Sequence, residues 1–338
     1  MIRCIVAAGR GVLLALLAVA GLMAAKTEVG AQTPQSVSVI VFPGGFNWPI
    51  WIAQEKGYFA KGGIEVKLTP TPSSVYQLTN LIDGKFDIGI TAVDNVIAYM
   101  EGQGEAKTEQ KPDLVVFMGG DNGFLSLVTV PDVKSYADLK GKTVSVDAAT
   151  TGYAFVLFDL LKRNGLNKGD YNVEKAGGVL QRWEAIKEKK HAGTMLLTPF
   201  DILAKANGLN VLQYAIDVYG EYEGLIGAAR REWAAQNPKL VQAYIRGTSD
   251  GVDFLKDPNN KTEAIATLRK NLPQMSEQLA EQTYAAMAGA KGFTSKAKFN
   301  DEGVRRVLAL RSEYGEPKKQ LTDPMKYYDG KYYDAAMK

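Results

Sequence analysis

Apolar and polar positions alternate in short, repeating blocks along this chain. Val37, Val39 and Val41 alternate with Ser36, Ser38 and Ile40, and this period of two predicts a strand running to Phe42. Pro43-Gly44-Gly45 stops that strand. Asn47, Trp48 and Pro49 then open a helix, with Asn as N-cap and Pro tolerated in a first turn whose N–H groups lack partners. Gly57 closes the helix, and Gly62-Gly63 turns the chain into a strand at Ile64–Leu68. In an open α/β sheet, ligands lie beyond the C-terminal ends of strands, against helix N-termini, and Phe46, Asn47 and Trp48 occupy such a position. Trp51 is as well read as core.

The pattern continues. Ser73 or Ser74 caps a helix with Val75, Leu78, Leu81 and Ile82 on one face. Strands are expected at Phe86–Ile90, Leu114–Met118, Phe124–Val130, Lys142–Val146, Tyr171–Lys175, Gly193–Leu197 and Leu209–Tyr214, with helices between most of them. Thr91-x-x-Asp94 and Thr198-x-x-Asp201 each follow a strand and open a helix, an internal echo that two lobes on one plan would produce. From Arg231 the chain reads mainly helical, with Asn237-Pro238 as a helix start. The tyrosine-rich tail, Tyr327–Tyr333, is expected to pack on the first lobe.

Residues 1–31 read as a cleaved signal peptide: Arg3 and Arg10, then an apolar run at Gly11–Ala25, then Val29-Gly30-Ala31. The expected location is therefore periplasmic. Cys4 is the only cysteine, so the mature protein has no disulfide, no thiolate nucleophile and no cysteine metal site. His191 is the only histidine, which leaves little from which to build a histidine metal site or a Ser-His-Asp triad. Without Arg3, Arg10, Lys26 and Glu28, the 40 basic and 37 acidic residues fall to 37 and 36, a balance that suggests no nucleic-acid partner. No cofactor and no metal are expected.

Trp51-Ile-Ala-Gln-Glu-Lys-Gly-Tyr-Phe-Ala-Lys-Gly-Gly-Ile-Glu-Val66 resembles the hallmark of solute-binding proteins of the nitrate/sulfonate/taurine transporter group, which also includes binding proteins for thiamine-pyrimidine precursors. Gly84-Lys-Phe-Asp-Ile-Gly89, Leu139-Lys-Gly-Lys-Thr-Val144, and Gly177-Gly178 followed by Arg182 and Ala185 match further family features in order. One departure is Lys190-His-Ala-Gly-Thr194, where the family has an Asp-Ala pair. The resemblance implies an α/β, two-lobe periplasmic-binding-protein fold of the second type. Each lobe would be a mixed sheet flanked by helices, with two crossing strands as hinge. Lobe 1 would span 32–128, lobe 2 129–221, and a helical return to lobe 1 222–338. It implies a small-molecule ligand held between the lobes, a monomer, and the permease of an ABC transporter as partner.

On that fold, several strand-to-helix loops face the cleft. The expected contacts are Phe46, Asn47, Trp48, Ser74, Tyr76, Thr91, Asp94, Asp121, Thr150, Thr151, Gly152, Tyr153, Arg182, Thr198, Asp201 and Tyr222. Helix N-termini and Arg182 suit an anionic group, and Gly152 would let a ligand approach the backbone. Asp94, Asp121 and Asp201 argue for an amine or cation, although both Thr-x-x-Asp pairs also have capping-box spacing. The aromatic residues would wall a flat organic ligand. The expected function is extracytoplasmic capture of a small polar or aromatic solute for an ABC importer, without catalysis. The alternatives are a ligand sensor for a membrane receptor and an enzyme like the fungal thiamine-pyrimidine synthase of the same fold family. That enzyme depends on histidine and an iron-binding cysteine cluster, neither of which this chain matches.

Overall fold

The alternation at Val37, Val39 and Val41 forms β1 (Gln35–Val41), the second strand in a five-stranded sheet. This computed structural model describes residues 33–338; the expected signal peptide lies outside the described residues. The remaining strands follow as β2 (Ile64–Pro70), β3 (Ile88–Ala92), β4 (Leu114–Met118), β5 (Leu125–Thr129), β6 (Thr143–Val146), β7 (Asn172–Lys175), β8 (Gly193–Leu197), β9 (Asn210–Tyr214) and β10 (Leu225–Arg230). The first sheet has the order β2-β1-β3-β10-β4 and the second β7-β6-β8-β5-β9. In the first, β1 runs parallel to β2 and β3, while β10 is antiparallel to β3 and β4. In the second, β6 runs parallel to β7 and β8, while β5 is antiparallel to β8 and β9. The two mixed sheets share one plan, and in each the antiparallel fourth strand has crossed from the other sheet.

The chain leaves the first sheet at Met118 and joins the second at Leu125, so β5 pairs wholly within the second sheet. The expected boundary between residues 128 and 129 falls inside this strand. Its apolar run looked the same from either side of the crossing, and only pairing distinguishes them. The return lies between Tyr214 and Leu225, which brackets the expected boundary at 221–222. β3, β4, β5 and β8 are buried along their whole length, as strands covered on both faces must be. β7 is an exposed edge carrying Glu174 and Lys175, charges that discourage further pairing.

The C-terminal section returns to the first lobe. The helix Pro238–Lys256 lies against the helix Trp48–Glu55, and a Cβ on Gly251 would stand 2.1 Å from the Pro49 carbonyl oxygen. The tail does pack on the first lobe: Val116 of β4 donates its N–H to the Tyr327 carbonyl, and Tyr332 is buried.

Candidate functional site

Several of the strand-to-helix loops converge between the lobes, and the expected side chains divide into four groups. The first belongs to the interior of the first lobe. Trp48 is fully buried, donates its indole N–H to the Ala264 carbonyl at 2.8 Å, and stands edge-on to Tyr284. It is a core residue, which corrects its expected place in the cleft wall. Asn47 precedes the helix Trp48–Glu55 without capping it. Its Nδ2 donates to the carbonyls of Phe42 and Gly44, holding the loop closed. Thr91 is the penultimate residue of β3 and accepts from Asn95 Nδ2, so the expected capping box at Thr91–Asp94 does not form. Tyr76 is 46% exposed and lies outside the cleft cavity.

The second group joins the lobes. Asp94 is 1% exposed and forms a two-pronged ion pair with Arg311, itself fully buried in the C-terminal helix Asp301–Tyr314. Arg311 Nη2 also donates to the Thr150 carbonyl across the cleft at 2.6 Å, and its guanidinium lies 4.7 Å from the centre of the Phe155 ring. Paired with Arg311 through both oxygens, buried, and absent from the cavity lining, Asp94 is not placed for the expected amine-binding role. A Cβ on Gly152 would meet the Asp94 carboxylate at 2.4 Å, so this glycine admits Asp94 rather than a ligand. Thr150 Oγ1 donates to Glu105, which also pairs with Lys175. Ser74 donates its backbone N–H to Asp147 Oδ2 at 2.8 Å; the helix cap is Ser73, which accepts from Tyr76 N–H.

The crossing segments carry a reciprocal clamp. Asp121 accepts from the N–H groups of Gly123 and Phe124 on its own segment and of Leu225 on the other. Glu223 accepts from Gly120 on the first crossing and from Asn300. Asp121 therefore ties the two crossing segments together and does not line the cavity between the lobes, where it was expected. Burial pushes its carboxyl up to about 6 against the pull of those N–H groups, and burial together with the nearby Asp121 raises Glu223 well above the carboxylate range. A Cβ on Gly224 would stand 2.1 Å from Asp121 Oδ1, so the clamp requires glycine there.

The third group surrounds a cavity of about 30 Å³ between the lobes, room for roughly two water molecules. Phe42, Phe46, Ala92, Asn95 and Leu225 line it from the first lobe, and Asp147, Thr151, Gly152, Tyr153, Val179, Arg182 and Leu197 from the second. Thr151 caps the helix Gly152–Arg163, whose N-terminus faces this space. Arg182 is 3% exposed; its Nε and Nη1 donate to the carbonyls of Met195 and Gly177, and Nη2 has no acceptor among the described residues. Burial lowers the Arg182 guanidinium from its ordinary value, while Asp147 opposes that shift. The Tyr153 hydroxyl and Asp147 Oδ1 are buried without a partner. Burial also holds Tyr153 well above the ordinary phenol range, so it remains a neutral hydroxyl. Tyr222 is buried behind it, with ring centroids 6.5 Å apart.

Thr198 and Asp201 face elsewhere. They line an open groove of about 820 Å³ with Lys205, Tyr214 and helix Glu277–Met287. The helix Phe200–Ala206 has Pro199 as N-cap, without a side-chain cap. The larger groove is open and shallowly walled, with one orphaned atom among the described residues, Asp201 Oδ1, whereas the small cavity lies between the lobes and gathers both the Tyr153 hydroxyl and Asp147 Oδ1 within an apolar lining. The latter is the stronger candidate. Sequence reading missed Asp147, Phe42 and Arg311. Asp147 directly follows β6, and that position beyond a strand end is the one signal that could have found it.

The chain matches the family model described as "NMT1/THI5 like" over residues 47–261. It is 28% identical over 248 residues to the 4-amino-5-hydroxymethyl-2-methylpyrimidine phosphate synthase of Schizosaccharomyces pombe, covering 63% of each chain. It is 25% identical over 218 residues to the riboflavin-binding protein RibY of Chloroflexus aurantiacus, covering 62% of this chain and 59% of that one. The match thus spans less than two thirds of either relative. Among solved structures, a protein from Bordetella bronchiseptica RB50 superposes with a TM-score of 0.76 at 16% identity, over 90% of this chain and 97% of that one. The ligand-binding component of an ABC-type import system from Staphylococcus aureus gives 0.70 at 12%, over 89% and 99%. The alkanesulfonate-binding protein SsuA of Xanthomonas axonopodis pv. citri gives 0.62 at 16%, over 75% and 84%. At such identities these likenesses show the fold, which is that of the periplasmic solute-binding proteins. The family match covers more than half of the chain, which therefore belongs to the NMT1/THI5-like family.

Proposed function

We propose that this protein is an extracytoplasmic solute-binding protein. It captures a small polar or aromatic organic solute between its lobes and delivers it to the permease of an ABC importer, acting as a monomer and without catalysis. The observation that carries this reading is the convergence of the Arg182 guanidinium with the Tyr153 hydroxyl and Asp147 Oδ1, the last two buried without a partner among the described residues, on an apolar-lined cavity between two lobes joined by two crossings. Buried polar groups are normally paired, so two orphans beside a buried guanidinium mark a site built for something else to pair with. The cavity holds far less than an organic solute, so entry requires the lobes to part and closure to follow, with the crossing segments as hinge. The same fold serves the ligand-binding component of an ABC-type import system and an alkanesulfonate-binding protein, which supports the reading.

A thermal-shift screen of a library of carboxylates, sulfonates, pyrimidines and amines tests this reading. At least one solute should raise the melting temperature of the wild type and leave the double variant Arg182→Met, Tyr153→Phe unmoved; a solute at about one hundred times its Kd adds about 2.7 kcal/mol. Equal shifts in the variant would move the site elsewhere, and an absence of any hit would sink the reading.

The second reading is an enzyme, favoured by the synthase relatives. His191, the sole histidine, pairs with Glu174 of the edge strand β7 and does not line the cavity, so an enzyme at this site would have to use the Asp147 carboxylate as its general base. Mass spectrometry after prolonged incubation should return the bound solute unchanged; conversion with turnover would establish the enzyme reading instead.

A further inference from the structure

Resting on the solute-binding reading, we propose that the cleft is built for a small, flat, dipolar organic acid, one that carries an anionic group and a separate N–H donor. The two charged side chains in the cavity wall have opposite sign, yet they form no ion pair within 4.0 Å of each other. Arg182 is held by two backbone carbonyls, so its fork has one orientation and its remaining Nη2 edge is presented rather than free to search. A guanidinium buried this deeply without a carboxylate partner is costly to keep, and an anionic group on the solute removes that cost. Asp147 is held through one of its two oxygens. Its Oδ2 accepts the Ser74 N–H from the other lobe, which leaves Oδ1 buried and waiting for a donor.

The combination decides between ligand classes. A simple anion would satisfy Arg182 and meet the carboxyl of Asp147 with no donor to offer. A simple amine would satisfy Asp147 and leave Arg182 unpaired. Only a solute bearing both groups matches both ends, and each mismatch works as rejection of the wrong class. Between these ends the lining is Phe42, Phe46, Val179, Leu197 and Leu225, which favours a flat apolar body, and the Tyr153 hydroxyl supplies a further polar contact. Because Asp147 also bonds Ser74 across the cleft, its position for the solute is set only when the lobes meet, so recognition of the donor is tied to closure.

Isothermal titration with matched probes tests the class. Orotate and 3-aminobenzoate carry both groups, benzoate only the acid, uracil and aniline only the donor. The wild type should bind at least one of the first two about tenfold tighter than any of the last three. Arg182→Met should remove most of that affinity. Asp147→Asn, which keeps an acceptor for Ser74 and the volume of the side chain, should weaken the dipolar probe by about tenfold while benzoate is unchanged or improved. Circular-dichroism melting confirms that each variant is folded; if Arg182→Met is not, Arg182→Lys replaces it. Benzoate binding as tightly as the dipolar probes, with Asp147→Asn without effect, overturns the dipolar class and leaves the solute-binding reading standing. No binding of either dipolar probe at about 1 mM also overturns the class, while the library screen above judges the broader reading independently.

Discussion

The two walls of the cleft are made differently. On the first lobe the cavity meets Phe42, Phe46, Ala92, Leu225 and a single polar side chain, Asn95, whose Nδ2 donates to Thr91, while Asp94 is engaged by Arg311 and Asp121 by the crossing N–H groups. On the second lobe the wall presents Arg182, Tyr153 and Asp147 with atoms still unpaired. One wall is an apolar platform braced from behind, and the other carries the directional chemistry. A ligand that closes two lobes must gain from both at once. The difference teaches that charge near a cleft is not the same as charge available to a ligand. Asp94 and Asp147 both stand at the lobe boundary, but the first is a strut and the second keeps an unpaired oxygen, the basis on which it is proposed as a contact.

Removing the strut is the largest test of this division. Arg311→Met leaves Asp94 buried and unpaired and should lower stability by about 3–5 kcal/mol in urea unfolding. A loss under about 1 kcal/mol would return Asp94 to the list of ligand contacts. Trp48→Ala should cost a similar amount, about 3–5 kcal/mol, while solute affinity measured well below the melting temperature stays near that of the wild type. Selective loss of affinity with intact stability would restore Trp48 to the cleft wall.

The hinge connects the walls and should report through pH. The folded-state value of Asp121 is raised from 3.8 to about 6, so the neutral carboxyl is favoured by folding. That contribution is fully present below its ordinary value and is lost as pH rises through about 6, on the order of 3 kcal/mol for a shift of this size. Glu223 is displaced in the same direction. Urea midpoints of the wild type should therefore carry a falling component between about pH 4 and 6 that Asp121→Asn removes. Identical pH profiles would show that the clamp carries no such linkage. The smallest effect is expected at Tyr153→Phe, which removes only a hydroxyl. Affinity should drop by about 0.5–1.5 kcal/mol, with stability unchanged or slightly raised because a buried orphan is gone. A large loss of stability would show that the hydroxyl serves the fold.

Much of the architecture was legible along the chain. The period-two alternation located β1, Ser73 capped the helix Ser74–Ile82, and Asn237-Pro238 began the helix Pro238–Lys256. The site was legible only in part. Phe46, Thr151, Gly152, Tyr153 and Arg182 were expected in the cleft and line the cavity. The two Thr-x-x-Asp pairs misled for one reason. Capping-box spacing presumes that Thr is the N-cap, but Thr91 remains in β3, and Pro199 begins the helix after Thr198. Asp147 stood in an unremarkable Val146-Asp147-Ala148 step and carried no motif.

What the sequence determined by itself is therefore local and periodic: where strands and helices run, which turns need glycine, and that two α/β units follow one plan. Those features depend on residues within a few positions of each other, and side-chain period and capping encode them directly. Only the tertiary structure decided which polar groups are spent. Asp94 and Arg311 are 217 positions apart, and Asp147 meets Ser74 across 73. Whether a carboxylate is a strut, a clamp or a ligand contact depends on what the folded layers bring against it, and no spacing along the chain records that.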